Sequence, residues 1–131
     1  MIAGDFTEAT FSGCDQITVD ANGALFVRAN LEHVLLSGSI LENANFNDAL
    51  MAHVDLRLSN LVNASFQNAH LEAADLRKAD LTGVDFQGAD LTKADLRETT
   101  LDGASFAGAK TTGLQTDRPL KELADLGIIT I

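Results

Sequence analysis

Positive charge is scarce in this sequence: nine lysines and arginines stand against nineteen aspartates and glutamates, a formal net charge of −10. So acidic a balance argues against direct nucleic-acid binding, which calls for a basic face, and against adhesion to anionic membranes. Cysteine occurs once, which excludes an internal disulfide, and Cys14 falls on a track of small residues where it reads as a buried small hydrophobe rather than a reactive thiol. No run of about eighteen apolar residues is present, and no basic-then-apolar segment opens the chain. A cytoplasmic location is the expectation, with export as part of a larger protein left open. Tryptophan and tyrosine are missing altogether, so the aromatic content is seven phenylalanines.

Those phenylalanines are regularly placed. Phe6, Phe26, Phe46, Phe66, Phe86 and Phe106 are each separated by twenty residues. Between Phe26 and Phe106 every fifth residue is large and apolar, including Leu36, Leu56, Leu76 and Leu96. Two residues before each stands a small or β-branched one, such as Ala24, Val34, Ser39, Ala64 or Thr99. A period of five fits neither the 3.6 of a helix nor the 2 of an ordinary strand. It is the mark of a solenoid in which both tracks face inward and four pentapeptides complete a turn. Phe26, Phe46, Phe66, Phe86 and Phe106, with the four leucines named above, are the expected structural core.

The units Ala74-Asp-Leu-Arg-Lys78, Ala79-Asp-Leu-Thr-Gly83, Ala89-Asp-Leu-Thr-Lys93 and Ala44-Asn-Phe-Asn-Asp48 resemble the A-(D/N)-L-x-x motif of pentapeptide repeat proteins. The resemblance implies an all-β solenoid, a right-handed quadrilateral β-helix. The length of the repeat sets about five turns, a shaft of about 24 Å at strand spacing. The expected division is a β-helix over 1–115, with an irregular first turn at 1–25, followed by a capping helix and tail over 116–131. The five-residue count from Phe11 lands on Gln16 and Ala21, so register is expected to bulge or slide between Cys14 and Gly23. Corner positions such as Asn43, Asn63, Gly83 and Gly103 suit positive φ. Thr116 or Asp117 is the expected helix N-cap, with Pro119 in the first turn and Gly127 as the stop. Leu120, Leu123 and Ala124 share a face that would lie over the last turn or against a second copy. Ile128, Ile129 and Ile131 form an apolar tail suited to an end-to-end partner.

Residues twenty apart stack on one side, so the surface sorts by face. One face repeats Asp55-Leu56-Arg57, Asp75-Leu76-Arg77 and Asp95-Leu96-Arg97, an expected ladder of ion pairs that leaves it nearly neutral once Asp15, Lys78 and Glu98 are included. The excess acid lies elsewhere: Glu42, Asp80 and Asp102 on the face of Leu41, with Asp85 and Asp90 beyond it. Ten net charges over about 24 Å approach the one charge per about 1.7 Å of duplex DNA. The slot before the central residue, usually Asp or Asn, holds Leu25, Leu35, Ile40 and Leu50, which would point outward as interface patches together with Leu58, Val27 and Val62.

His33, His53 and His70 lack the converging ligands that a metal needs. No nucleophile–base pair, phosphate loop or carboxylate dyad stands out, and a filled solenoid offers no natural pocket. The expectation is a non-enzymatic protein-interaction or structural module with no cofactor, no metal and no catalytic residue. It would act on a protein partner, and a homodimer through the C-terminal end or the apolar patch is left open. The resemblance also implies an alternative, since quinolone-resistance and toxin-immunity members of the family imitate B-DNA and bind DNA gyrase or topoisomerase IV. Glu42, Asp80, Asp85, Asp90 and Asp102 would then be the phosphate-like acids.

Overall fold

The structure is a computed structural model, and it describes residues 4–11 and 16–128. Cys14, Asp15, Ile129 and Ile131 lie outside the described residues, as does the side chain of Leu120. No helix among the described residues is long and apolar enough to cross a membrane.

Parallel bridges link each residue of the outward slot to the one twenty positions on, in four columns. One runs Asp5, Leu25, Asn45, Ser65, Asp85, Ser105; another runs Leu35, Asp55, Asp75, Asp95, Gln115. Within each pentapeptide the central residue donates its N–H to the slot carbonyl of the next turn, as Leu36 does to Asp55 at 2.8 Å. The chain then bends, and the small residue's N–H returns to the central carbonyl, as from Ala64 to Leu61 at 2.9 Å. That corner requires positive φ one residue before the small position. Asn43 (61°), Asn63 (58°), Gly83 (69°) and Gly103 (73°) adopt it, in line with the sequence expectation. Leu58 (59°) and Ala73 (56°) adopt it too, although neither side chain favours the left-handed region.

Both inward tracks are buried from Ala24 to Leu101, and Phe106 closes the core at 2% exposure. The phenylalanine rings stack at the repeat of the ladder: Phe26 on Phe46 and Phe46 on Phe66 at 4.8 Å, within 7° of parallel. Buried hydroxyls on the small track find partners, as Thr99 Oγ1 does in donating to the Leu96 carbonyl at 2.8 Å.

The first turn slides as expected. Ile17, not Gln16, donates to the Leu35 carbonyl at 2.8 Å, and regular register returns when Ala21 donates to Ile40 at 2.9 Å. The slip swaps a polar residue for an isoleucine at an inward place. Gln16 turns out, reaching Ser37 Oγ at 3.1 Å, and Ser39 Oγ accepts the Val19 N–H at 3.1 Å inside the shortened corner.

The C-terminal helix, α1, spans Leu120–Asp125, and here the expected N-cap is corrected. Pro119 is the cap residue and no side chain caps the helix. Thr116 Oγ1 accepts the Arg118 N–H at 3.2 Å instead, and Asp117 Oδ2 accepts the N–H of Glu98 at 3.0 Å. In the turns below, that N–H position binds a carbonyl of the next turn, so Asp117 supplies by side chain what the ended ladder no longer supplies by backbone. Arg118 does the converse by donating to the Thr99 carbonyl. At the other end of α1, Gly127 (φ 77°) donates to Ala124 and Ile128 to Leu123, a Schellman closure that buries Leu123 and Ile128 against the core.

Candidate interaction surface

With the inward tracks committed to packing, the slot and the residues two and three beyond it carry the surface chemistry. The slot's preference for Asp or Asn has a local cause. At each described Asp or Asn slot from Asp5 to Asp95 except Asp20, a side-chain oxygen accepts the backbone N–H two residues on, as Asn30 does from Glu32 at 3.1 Å and Asp85 from Gln87 at 2.9 Å. Asp80 and Asp90 also take the hydroxyls of Thr82 and Thr92, both at 2.6 Å. Three of the acids singled out from the sequence, Asp80, Asp85 and Asp90, therefore help to hold the corner. Burial raises the Asp90 carboxyl, but the Thr92 hydroxyl and N–H with Lys110 and His70 bring it below the usual range. Asp80 shares a side with Glu42 and Asp102, whereas Asp85 and Asp90 lie on two others.

The Asp/Arg ladder forms as its spacing predicts. Arg57 donates Nε and Nη2 to Asp55 at 2.9 and 2.8 Å; Arg77 grips Asp75 at 2.9 and 2.7 Å, and Arg97 grips Asp95 at 2.9 and 2.6 Å. Each lower arginine also reaches the next turn, with Arg57 Nε 3.7 Å from Asp75 and Arg77 Nε 3.6 Å from Asp95. These contacts are layered. The carboxylates of Asp55, Asp75 and Asp95 are 13, 29 and 13% exposed, the guanidinium side chains 47, 42 and 47%. Hydrogen bonding by Arg57 lowers the Asp55 carboxyl and Arg97 does the same for Asp95, while the arginines are held charged in return.

Leu25, Leu35, Ile40 and Leu50 do point outward and are exposed. The structure corrects their expected clustering, because they fall in four different columns. Leu25 lies between Asp5 and Asn45, Ile40 between Asp20 and Asn60, Leu50 between Asn30 and His70, and Leu35 is bridged to Asp55. Leu58, at a corner, is more exposed than any of them at 64%. The sequence signal for it was a large aliphatic residue at a corner position that elsewhere holds Gly, Ala or a polar or charged residue.

His33 and His53 stack at 4.8 Å, within 5° of parallel, and His70 Nδ1 lies 3.4 Å from Glu72. No group of three or more metal-binding side chains gathers among the described residues. The expectation of no pocket is corrected at the N-terminal end, where a cavity of about 310 Å³ is lined by Phe6, Phe11, Ile17, Val19, Ala21 and Phe26 among others. Its cause is the undersized first turn: Ala21 stands below Leu41, where the turns above place leucine. Phe11 packs on Phe6 at 5.7 Å but leaves this space unfilled.

A family model for pentapeptide repeats matches the chain in eight copies across residues 24–61, 39–77, 59–98 and 79–110. Among solved structures the chain is similar to HetL, a pentapeptide repeat protein involved in heterocyst differentiation regulation from the cyanobacterium Nostoc sp. strain PCC 7120. The identity is 26% and the TM-score 0.65, over 84% of this chain and 56% of that one. It is similar in fold to Rfr23 from the cyanobacterium Cyanothece 51142, with 19% identity and TM-score 0.62 over 88% and 85% of the two chains. A third is a pentapeptide repeat protein of the Arabidopsis thaliana thylakoid lumen, with 31% identity and TM-score 0.42 over 82% and 76%. These likenesses imply the right-handed hand of the β-helix. No curated protein sequence matches this chain. The chain spans just over half the length of HetL.

Proposed function

The chain belongs to the pentapeptide repeat family, and from that premise we propose that it is a non-enzymatic interaction module, a rigid acidic rod of about five turns that presents its outer columns to a protein partner. The observation that carries this reading is the replacement of slot Asp or Asn by exposed Leu25, Leu35, Ile40 and Leu50. Each forgoes the hydrogen bond that the slot otherwise makes and leaves about two fifths of its apolar surface exposed. Lying in four different columns, they form no single apolar patch, so the reading has a partner meet the rod one column at a time. The likeness to HetL, a protein with a regulatory role, is consistent with this use of the scaffold.

The experiment is association of the full chain, with itself by sedimentation and with host proteins by capture, for native protein and for Leu35→Asp and Ile40→Asp. Loss of a dimer or of a specific partner in a folded variant supports the module. A native monomer with no partner, unchanged by either substitution, contradicts it.

The DNA-mimic reading, in which the rod replaces duplex DNA on gyrase or topoisomerase IV, draws support from the net charge of −10. It ranks second because the ladder side carries outward guanidiniums where a mimic needs acids. Inhibition of gyrase supercoiling by the native protein at micromolar concentration, lost on Glu42→Gln with Asp102→Asn, would reverse that order.

A further inference from the structure

The ladder side of this acidic rod, nearly neutral by count, is cationic by exposure. Asp55, Asp75 and Asp95 lie beneath, each already bound by its own arginine, and the guanidiniums form the outer layer. Nε and Nη2 of each arginine are occupied, whereas Nη1 of Arg57, Arg77 and Arg97 meets no protein acceptor among the described residues. Those Nη1 groups recur at the strand spacing of about 4.8 Å. Lys78, exposed at the adjoining corner, takes part in no ion pair among the described residues. Beside it Leu58 stands 64% exposed, and Arg57, Leu58, Arg77, Lys78 and Glu98 line a shallow groove of about 230 Å³.

We propose that this groove is a docking site for a short acidic segment of a partner protein, whose carboxylates meet Arg57, Arg77 and Lys78 and one of whose apolar side chains covers Leu58. This rests on the interaction-module reading and names the chemistry of the partner. Charge complementarity selects the occupant: a guanidinium edge with spare N–H groups suits carboxylates, and the neighbouring leucine suits a segment that is not purely acidic. Length selects against longer polyanions. The screening length at physiological salt is about 8 Å, so a short peptide stays within the field of one side, whereas a DNA duplex or an anionic vesicle also meets the acidic sides and is repelled. Glu98 at the C-terminal edge of the groove sets where the acidic run must stop.

The test is titration of the full chain with a fluorescein-labelled peptide, Glu-Glu-Leu-Glu-Glu, followed by anisotropy, with arginine Nε–Hε resonances read by NMR. Saturable binding that weakens with salt and shifts the Arg57 and Arg77 resonances is expected. The double variant Leu58→Asn, Lys78→Asn places at both corners a residue that accepts positive φ, so its melting temperature is maintained while affinity falls about tenfold. Absence of saturable binding, equal binding by the double variant, or tighter binding of duplex DNA or anionic vesicles overturns the proposal. If the peptide fails while Leu35→Asp or Ile40→Asp still abolishes a partner, the ladder assignment falls and the module reading stands.

Discussion

Arg57 clasps Asp55 within its own turn and lies 3.7 Å from Asp75 in the next, so one guanidinium ties together two levels of the solenoid. The Asp55 and Asp95 carboxyls are lowered chiefly by their arginine hydrogen bonds. A carboxyl whose folded pKa lies below its unfolded value binds fewer protons in the folded state. Its contribution is complete above the unfolded value of about 3.9 and disappears as pH falls through the folded one. Melting temperature is expected to be nearly level between about pH 7 and about pH 5 and to drop below about pH 4, with Asp5 and Asp90 adding to the drop. Asp55→Asn with Asp95→Asn flattens that drop; an undiminished drop would show that the ladder contributes nothing.

Ile17 takes the inward place that the five-residue count assigns to Gln16. Ile17→Ala is expected to cost about 1–2 kcal/mol, the lower end for an isoleucine because the site is only half-buried, and Gln16→Ala well under 1 kcal/mol. Urea unfolding of the two variants decides it, and a larger loss at Gln16 would return the register to the regular count.

The last turn is closed by side chains acting in place of backbone. Arg118→Ala removes the donor to the Thr99 carbonyl and the ion pair to Glu122, and about 1–2 kcal/mol of stability is expected to go with it. The edge it uncovers is open to strand pairing, so light scattering should report larger species in the variant. A variant as stable and as monodisperse as the native protein would mean that α1 alone closes the rod.

At the slot, Leu50→Asn trades partly buried apolar area for the hydrogen bond that Asn30 makes one turn below. The two effects are of similar size, so a change within about 1 kcal/mol is expected from chemical denaturation. A loss of about 3 kcal/mol or more, as for a core leucine, would make Leu50 a packing residue and remove it from the interaction surface.

Much of this was legible from period alone. The two inward tracks, the stacking of Phe26 to Phe106 and the pairing of Asp75 with Arg77 follow from a repeat of five and a turn of twenty. What was not legible depends on local competition for hydrogen bonds. Asp117 has the chemistry of a helix cap, and the sequence cannot show that the unpaired N–H of Glu98 claims it first. The slip at Gln16 was visible as a break in the beat, but the cavity beside Ala21 follows only once that small residue is known to have kept its inward place. The layering of the ladder depends on side-chain direction, because counting charges gives a neutral face and only exposure separates its cations from its anions.

Every assignment above rests on the division between inward tracks and outward columns, and Phe66 and Gln67 are adjacent residues on opposite sides of it. Phe66 is fully buried between the rings of Phe46 and Phe86, whereas Gln67 reaches outward to Asp85 at 2.7 Å. Equilibrium unfolding of Phe66→Ala and Gln67→Ala is the most direct measurement. The expected losses are about 3–5 kcal/mol for the cavity in the aromatic stack and about 1 kcal/mol or less for the surface hydrogen bond. Equal losses at the two positions would contradict the account.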